Sequence, residues 1–225
     1  MKNPGQKQAI VLLSGGLDST TMLFYAKAEG YKVSGLVFDY GQRHRKEIDQ
    51  AKKILKYARC SYRLVKISLP WKGSALLDKK VHMPKNRNLH AMAREIPLTY
   101  VPARNIIFLS FAASFAEAIG AKAIFIGANT LDYSGYPDCR PEFFQSFMKT
   151  LKKGSKAGVE GRRIKIETPL ISLTKAQIIR LGLKLKVPYY LTWSCYEGKK
   201  KPCNRCDSCL LRQKGFDELK IKDPL

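Results

Sequence analysis

Ser14-Gly15-Gly16-Leu17-Asp18-Ser19-Thr20-Thr21 follow an apolar run that ends at Leu13 and open a stretch with helical character. Paired glycines allow a tight turn with the backbone close to a ligand. Free N–H groups at a helix start, aligned with the helix dipole, favour an anion there. Ser14, Ser19, Thr20 and Thr21 add hydroxyl donors, while Asp18 has no place beside a phosphate unless a cation bridges the two, which implies Mg²⁺. Residues 13–21 are therefore the candidate nucleotide-phosphate loop. A plain strand-to-helix turn, with Asp18 or Ser19 as N-cap, is the alternative. No Gly-Lys-Ser/Thr follows, which excludes a Walker loop, and the dinucleotide Gly-x-Gly-x-x-Gly pattern is absent.

Cys195, Cys203, Cys206 and Cys209 form a second constellation, the last three spaced C-x-x-C-x-x-C. Two-residue spacings let one turn present two sulfurs to one ion, and zinc prefers four tetrahedral thiolates. The surrounding sequence is Lys-rich, so metal binding would supply the folding energy that no large apolar core can. Four protein ligands would close the site and make the zinc structural. An iron–sulfur cluster and a redox C-x-x-C remain alternatives; disulfides are disfavoured in a cytosolic protein. Cys60 and Cys139 are spaced for no evident metal chemistry.

Three further clusters sit where ligands would bind. Gln42, Arg43 and His44 follow the second strand and can meet phosphate, base or carboxylate, though His44 read alone suits a structural role at a helix start. Arg104 and Asn105 open a long apolar helix, the first as a phosphate-facing guanidinium and the second as a polar orienter or helix cap. Asp132, Tyr133, Ser134, Tyr136, Asp138 and Arg140 lie in one loop, whose aromatics suit a flat purine-like ring and whose acids suit an amino-pyrimidinone edge. The bland reading of that loop is solvated turn chemistry. Thr174 reads as an N-cap. Lys175 stands in a first helical turn, where the dipole disfavours a cation, and this hints at a phosphate partner, with a solvated lysine as the alternative. Asp18, Ser19, Arg104 and Lys175 are the candidate catalytic residues.

The elements that must position these groups alternate. β-rich apolar runs at 9–13, 33–38, 63–67, 123–126 and 164–167 are interleaved with helical patterns at 19–29, 45–57, 105–119, 142–151 and 175–183. This alternation predicts an α/β fold: an open five-stranded parallel sheet with helices on both faces and chemistry at the carboxyl ends of the strands. Residues 70–102 contain four prolines and break the rhythm, as a lid, an interface insertion or a surface excursion. Residues 1–190 read as the nucleotide-binding domain and 191–225 as a small zinc-binding appendage. The chain of 225 residues carries 41 basic and 18 acidic side chains, a net charge of +23 spread along its length. That charge suits solubility or the attraction of polyphosphate or RNA, and does not by itself establish nucleic-acid binding. The absence of a signal-peptide core and of a long apolar span leads to the expectation of a soluble, cytoplasmic protein.

The Ser-Gly-Gly-x-Asp-Ser loop resembles the PP-loop of the ATP-pyrophosphatase superfamily, in which ATP is split between the α- and β-phosphates; the implied fold is adenine nucleotide alpha-hydrolase-like. Together with F-D-Y-G-Q-R-H, V-P-A-R-N, D-Y-S-G-Y-P-D-C-R, E-T-P-L and C-N-R-C-D-S-C-L-L-R in this order, the chain resembles the QueC family of queuosine precursor biosynthesis from about Ile10 to Gly215. Leu17 stands where glutamine is also common in that family. The resemblance implies conversion of a 7-carboxy-7-deazaguanine to its nitrile with ATP, Mg²⁺ and free ammonia, through an adenylated carboxylate and an amide. It also implies one structural zinc and a homodimer. The chain has no room for a glutaminase domain, which is why free ammonia is expected. Three rivals stand beside it: a tRNA-modifying PP-loop enzyme, an ATP-sensing zinc module, and an enzyme that transfers the deazaguanine to a macromolecule.

Overall fold

In β1, Gln8–Leu12, successive side chains point to opposite faces of the strand, and both faces are buried. Ala9, Val11 and Leu13 enter one core, while Ile10 and Leu12 enter another. A strand buried on both sides belongs in the middle of a covered parallel sheet, and β1 lies there. The other strands are β2, Lys32–Asp39; β3, Ser61–Lys66; β4, Ala123–Ile126; and β5, Lys165–Glu167. Their order is β3-β2-β1-β4-β5 and every pairing is parallel, with Val11 beside both Gly35 and Phe125. The computed structural model describes residues 5–88, 96–130 and 136–225.

Helices cover both faces, as the alternation predicts. They are α1, Leu17–Ala28; α2, Lys46–Tyr57; α3, Arg104–Ile119; α4, Pro141–Gly154; α5, Lys156–Val159; α6, Lys175–Lys184; and α7, Asp207–Glu218. One face packs Met22 and Leu23 of α1, Ile54 and Leu55 of α2, and Ile178 and Ile179 of α6 against Val37 and Phe125. The other packs Leu109, Ala112 and Ala116 of α3 and Phe144 of α4 against Leu36, Phe38 and Ile124. Phe125 is 2% exposed and meets Tyr31 edge-on at 5.3 Å. Phe125→Ala is expected to cost about 3–5 kcal/mol through lost burial and the cavity left behind, read as a lower urea midpoint with an unchanged slope.

The strand order reverses at β1. The chain runs outward through β2 and β3, then returns to the other side of β1 as β4 and β5. Crevices beyond the carboxyl ends of strands at such a reversal are where open α/β sheets bind ligands. The loop after β1 opens there.

The expected insertion and tail meet each other. Ala75 and Leu76 are buried, the Leu76 carbonyl accepts from Arg43 N–H, and the Asn86 amide donates to the Arg205 carbonyl. Arg87 pairs with Asp207 at 3.0 Å and Lys85 with Glu197 at 2.6 Å. The described part of the insertion thus packs on the cysteine-rich segment. Helix α7 in turn places Phe216 in the central core, edge-on to Tyr189. Among the described residues, no helix is long and apolar enough to cross a membrane.

Candidate functional site

A cleft of ≈ 230 Å³ opens at the carboxyl end of β1. Its floor is the candidate phosphate loop, residues 13–21. Gly15 adopts φ +88°, and a Cβ there would lie 2.3 Å from the Glu47 carbonyl oxygen, so only glycine lets the loop sit against α2. Gly16 is the N-cap of α1 and supplies no capping side chain. The first-turn amides are thereby left for an anion. Ser14 Oγ accepts from Gly16 N–H at 3.2 Å and lies 3.0 Å from Ser19 Oγ, which holds both hydroxyls at the loop mouth. The Gly15 carbonyl accepts from Trp193 N–H at 2.8 Å, so the segment leading to Cys195 braces the loop from behind.

Charge converges on this floor from four helices. Asp18 lies in the first turn of α1, and both of its carboxylate oxygens accept from Lys175 Nζ, at 2.7 and 2.8 Å. Lys175 begins α6, which is fixed by a capping box between Thr174 and Gln177. The lysine is 8% exposed and lines the cleft with Asp18. Arg104 enters from the start of α3 and Arg212 from α7. Arg212 is held by a fork of two bonds to Asp223, at 2.6 and 2.7 Å, and donates to Thr192 Oγ1.

The wall opposite the loop is aromatic. Phe38 and Phe108 stack at 3.9 Å and 5°, and both line the cleft with Tyr40 and Tyr136. Burial pushes the Tyr40 hydroxyl up to about 12, with Glu47 adding to the rise, so it is neutral at physiological pH beside the Arg104 guanidinium. Cys139 also lines the wall, with Sγ 3.2 Å from Asn105 Nδ2. Burial, then the neighbouring Asp138, push this thiol up to about 12. It is therefore protonated at neutral pH and is no thiolate nucleophile.

The candidate residues separate into two groups. Leu13, Ser14, Gly16, Leu17, Asp18, Ser19, His44, Arg104, Asn105, Tyr136 and Lys175 line the cleft. The others are directed elsewhere by the backbone they satisfy. Gly15 faces α2. Thr20 Oγ1 donates to the Gly16 carbonyl, and Thr21 Oγ1 donates to that of Leu17 and lies 2.9 Å from Tyr189 Oη, so these hydroxyls serve α1 rather than the loop mouth. Gln42 is buried; its amide accepts from Tyr40 N–H and donates to the Phe38 carbonyl, closing the turn after β2. Arg43 donates to the Asp78 and Val81 carbonyls and so holds the insertion. The Asp138 carboxylate accepts from Asn105 N–H at 2.9 Å, capping α3; burial raises its pKa above the usual carboxylate value. Arg140 is exposed and outside the cleft lining. Asp132, Tyr133 and Ser134 lie outside the described residues.

Several lining residues are not candidates by type and spacing: Glu47, Trp193 and Tyr196 lie outside the motifs, and Phe38, Tyr40 and Arg212 lie within two of them without standing out as ligands. Phe38 and Tyr40 end a strand, a position that is itself a signal in this fold. Arg212 follows Cys209 by one helical step, and only the metal-site geometry makes it more than another surface cation.

The four cysteine sulfurs lie within 4.8 Å of one another. A tetrahedral site with sulfur bonds of about 2.3 Å would space its sulfurs by about 3.8 Å, close to the 4.0 Å between Cys203 and Cys209. Backbone N–H groups of Cys203 and Cys206 point at Cys195 and Cys203 Sγ at 3.3 Å, a pattern that stabilises thiolates. The donor set fits one metal ion held at four corners.

The family profile described as "Queuosine biosynthesis protein QueC" matches residues 8–220. The chain belongs to the QueC family. It is 54% identical over 211 residues to the 7-cyano-7-deazaguanine synthase of Picrophilus torridus, covering 94% of this chain and 87% of that protein. It is 54% identical over 220 residues to the synthase of that name from Acetivibrio thermocellus, covering 97% of each. Among solved structures, a 4-thiouridine synthetase in complex with RNA and ATP matches with a TM-score of 0.53 at 18% identity, over 94% of this chain and 53% of that one. That likeness concerns the fold alone.

Proposed function

We propose that this chain converts 7-carboxy-7-deazaguanine, ammonia and ATP to 7-cyano-7-deazaguanine through adenylated carboxylate and amide intermediates. The observation that carries the reading is one cleft with two unlike walls, in a chain half identical to named 7-cyano-7-deazaguanine synthases. One wall offers helix-start amides, Ser14, Ser19 and the Asp18–Lys175 pair to a triphosphate. The other offers stacked aromatics to a flat heterocycle.

A carboxylate does not react with ammonia because its leaving group would be hydroxide or oxide. Attack of the substrate carboxylate on the α-phosphate makes AMP the leaving group and releases pyrophosphate. The loop amides, Lys175 and Arg104 are placed to stabilise charge moving onto the pyrophosphate and the transferring phosphoryl group. Phe38, Phe108 and Tyr136 orient the ring and exclude water that would hydrolyse the adenylate. Asp18 suits a Mg²⁺ ion, which binds through one or two carboxylates plus phosphate oxygens and, when bound, neutralises the leaving group. We assign the four-cysteine site to a single structural zinc: sulfurs this close suit one shared ion, whereas a multi-iron cluster binds its cysteines on separate irons. The reading extends to a homodimer, supported by Ile106 and Phe111 left exposed on α3, and to a cytoplasmic setting that keeps the thiols reduced.

Purified protein given 7-carboxy-7-deazaguanine, ammonium and Mg-ATP is expected to yield the nitrile by mass spectrometry, with pyrophosphate release dependent on the deazaguanine. ATP breakdown without amide or nitrile would sink the substrate assignment. Sedimentation velocity showing only monomer at micromolar concentration would refute the dimer.

A further inference from the structure

Amide formation needs nitrogen with a free lone pair, and ammonium in neutral water holds that pair in an N–H bond. A catalyst fed with ammonium must gather a cation and remove a proton from it. The cleft is poor in groups suited to this. Its cations repel ammonium, and the two oxygens of Asp18 are engaged by Lys175.

One pair remains that carboxylate activation leaves without a role. His44 and Glu47 both line the cleft on the α2 side. His44 is 3% exposed, and its Nε2 lies 3.2 Å from Glu47 Oε1. Glu47 meets no lysine or arginine at ion-pair distance among the described residues; the imidazole is its partner. His44 Nδ1 is buried and has no hydrogen-bond partner among the described residues. With Nε2–H donating to Glu47, Nδ1 is an acceptor in want of a donor, and buried polar atoms are seldom left so. The Tyr196 ring stands 5.7 Å from the imidazole, adding an aromatic neighbour of the kind that tolerates a small cation.

We propose that His44 and Glu47 form the ammonium subsite of the cleft. This rests on the reading that ammonia is the nitrogen source. The Glu47 carboxylate attracts the cation, and His44 Nδ1 accepts one ammonium N–H and takes its proton. The imidazolium so formed keeps its Nε2–H on Glu47. The freed lone pair attacks the adenylated carbonyl carbon and forms the C–N bond. The C–O bond to AMP breaks, with its electron pair leaving on the phosphate oxygen. The nitrogen sheds a second proton to solvent, leaving the amide, and His44 returns its own proton to solvent.

Three readouts test this on the full chain. Exchange of labelled pyrophosphate into ATP, dependent on 7-carboxy-7-deazaguanine and without ammonium, reports activation alone. Ammonium dependence of amide formation reports the subsite. Hydroxylamine, uncharged at neutral pH, captures the adenylate as a hydroxamate without prior proton removal. Glu47→Gln is expected to raise the ammonium KM about tenfold or more, the loss of one charge-assisted contact, with Glu47→Asp recovering part of it. His44→Gln is expected to lower ammonium-dependent turnover while hydroxamate formation proceeds. An unmoved ammonium KM in Glu47→Gln, with normal wild-type turnover, sinks the subsite alone. Equal loss of exchange, ammonium turnover and hydroxamate in both variants assigns the pair a structural role and also overturns it. Wild-type protein that exchanges pyrophosphate but makes no amide from ammonium sinks the nitrogen-source reading, and the subsite with it.

Discussion

Asp18→Asn is expected to slow substrate-dependent pyrophosphate release by about 10²–10³-fold, equivalent to about 2.7–4 kcal/mol of transition-state stabilisation. Asparagine preserves the size of the side chain and a hydrogen-bonding oxygen but removes the charge. The proposed reaction gives that charge two roles. It holds Lys175 Nζ through both oxygens, and it is the carboxylate beside the helix-start amides that suits Mg²⁺. In the variant, nearly buried Lys175 loses the charge that both Asp18 oxygens bring to it. The complete loss of a buried pair's partner costs about 3–5 kcal/mol; Asp18 is partly exposed, so a stability loss of about 1–3 kcal/mol is expected after solvent screening. A urea midpoint measured beside the rate separates the two effects.

Lys175→Met isolates the other half of the pair and should lose a similar factor, because the cation that would follow the leaving pyrophosphate is gone. If the two act as one device, the Asp18→Asn/Lys175→Met variant falls no further in rate than the worse single variant. Multiplicative losses in the double variant would mean that the residues act independently. Activity within threefold of wild type in Asp18→Asn would remove the carboxylate from the mechanism.

The same pair illustrates what a sequence can carry. Lys175 in a first helical turn is electrostatically misplaced, and that oddity is visible in the chain; its resolution, a carboxylate 157 positions away, is not. The middle of the sheet is legible because β4 and all but the first residue of β1 are apolar, a pattern that a strand covered on both faces requires, whereas the edge strand β3 carries Ser61, Arg63 and Lys66 and is largely exposed. The capping box at Thr174 is legible because its two partners are three residues apart. Gln42 and Arg43 look like ligands by type, but each is consumed by main-chain groups whose needs appear only once the turn after β2 and the insertion are folded. Asp138 is of the same kind, a carboxylate in a recognition-like loop that caps a helix. Helix α7 is hidden for a different reason. It carries no apolar stripe and has Gly215 within it, and what fixes it is long-range: two cysteines at its start and Phe216 in the core. Gly215 itself is needed because a Cβ there would lie 2.5 Å from Lys175 Cγ.

That last contact leads to the second large effect. Stripping the metal from the four-cysteine site is expected to weaken ATP binding by at least about tenfold, although none of those four cysteines lines the cleft. The connection is structural at three points. Trp193, two residues before Cys195, donates its N–H to the Gly15 carbonyl and its indole N–H to the Cys195 carbonyl. Lys46 at the start of α2 sits 3.4 Å from the Trp193 ring centroid and donates to the Lys200 carbonyl at 2.8 Å. Helix α7, which begins just after Cys206, carries Arg212 into the cleft and packs its Gly215 on the Lys175 stem. Binding energies of structural zinc reach about 10–16 kcal/mol in small peptides, and such energy is folding energy. Its loss would release the brace behind the phosphate loop, the Arg212 fork and the seat of Lys175 together. Chelation should therefore shift the emission of Trp193 to the red as the buried indole meets water, lower the melting temperature, and raise the Kd for ATP by at least about tenfold, the equivalent of about 1.4 kcal/mol. Re-addition of zinc should restore all three. Cys206→Ser should reproduce the apo behaviour without a chelator, since an alcohol is a poor replacement for a zinc thiolate. If ATP binds unchanged to metal-free protein whose Trp193 emission has shifted, the phosphate loop stands without its brace and the coupling between the two sites is refuted.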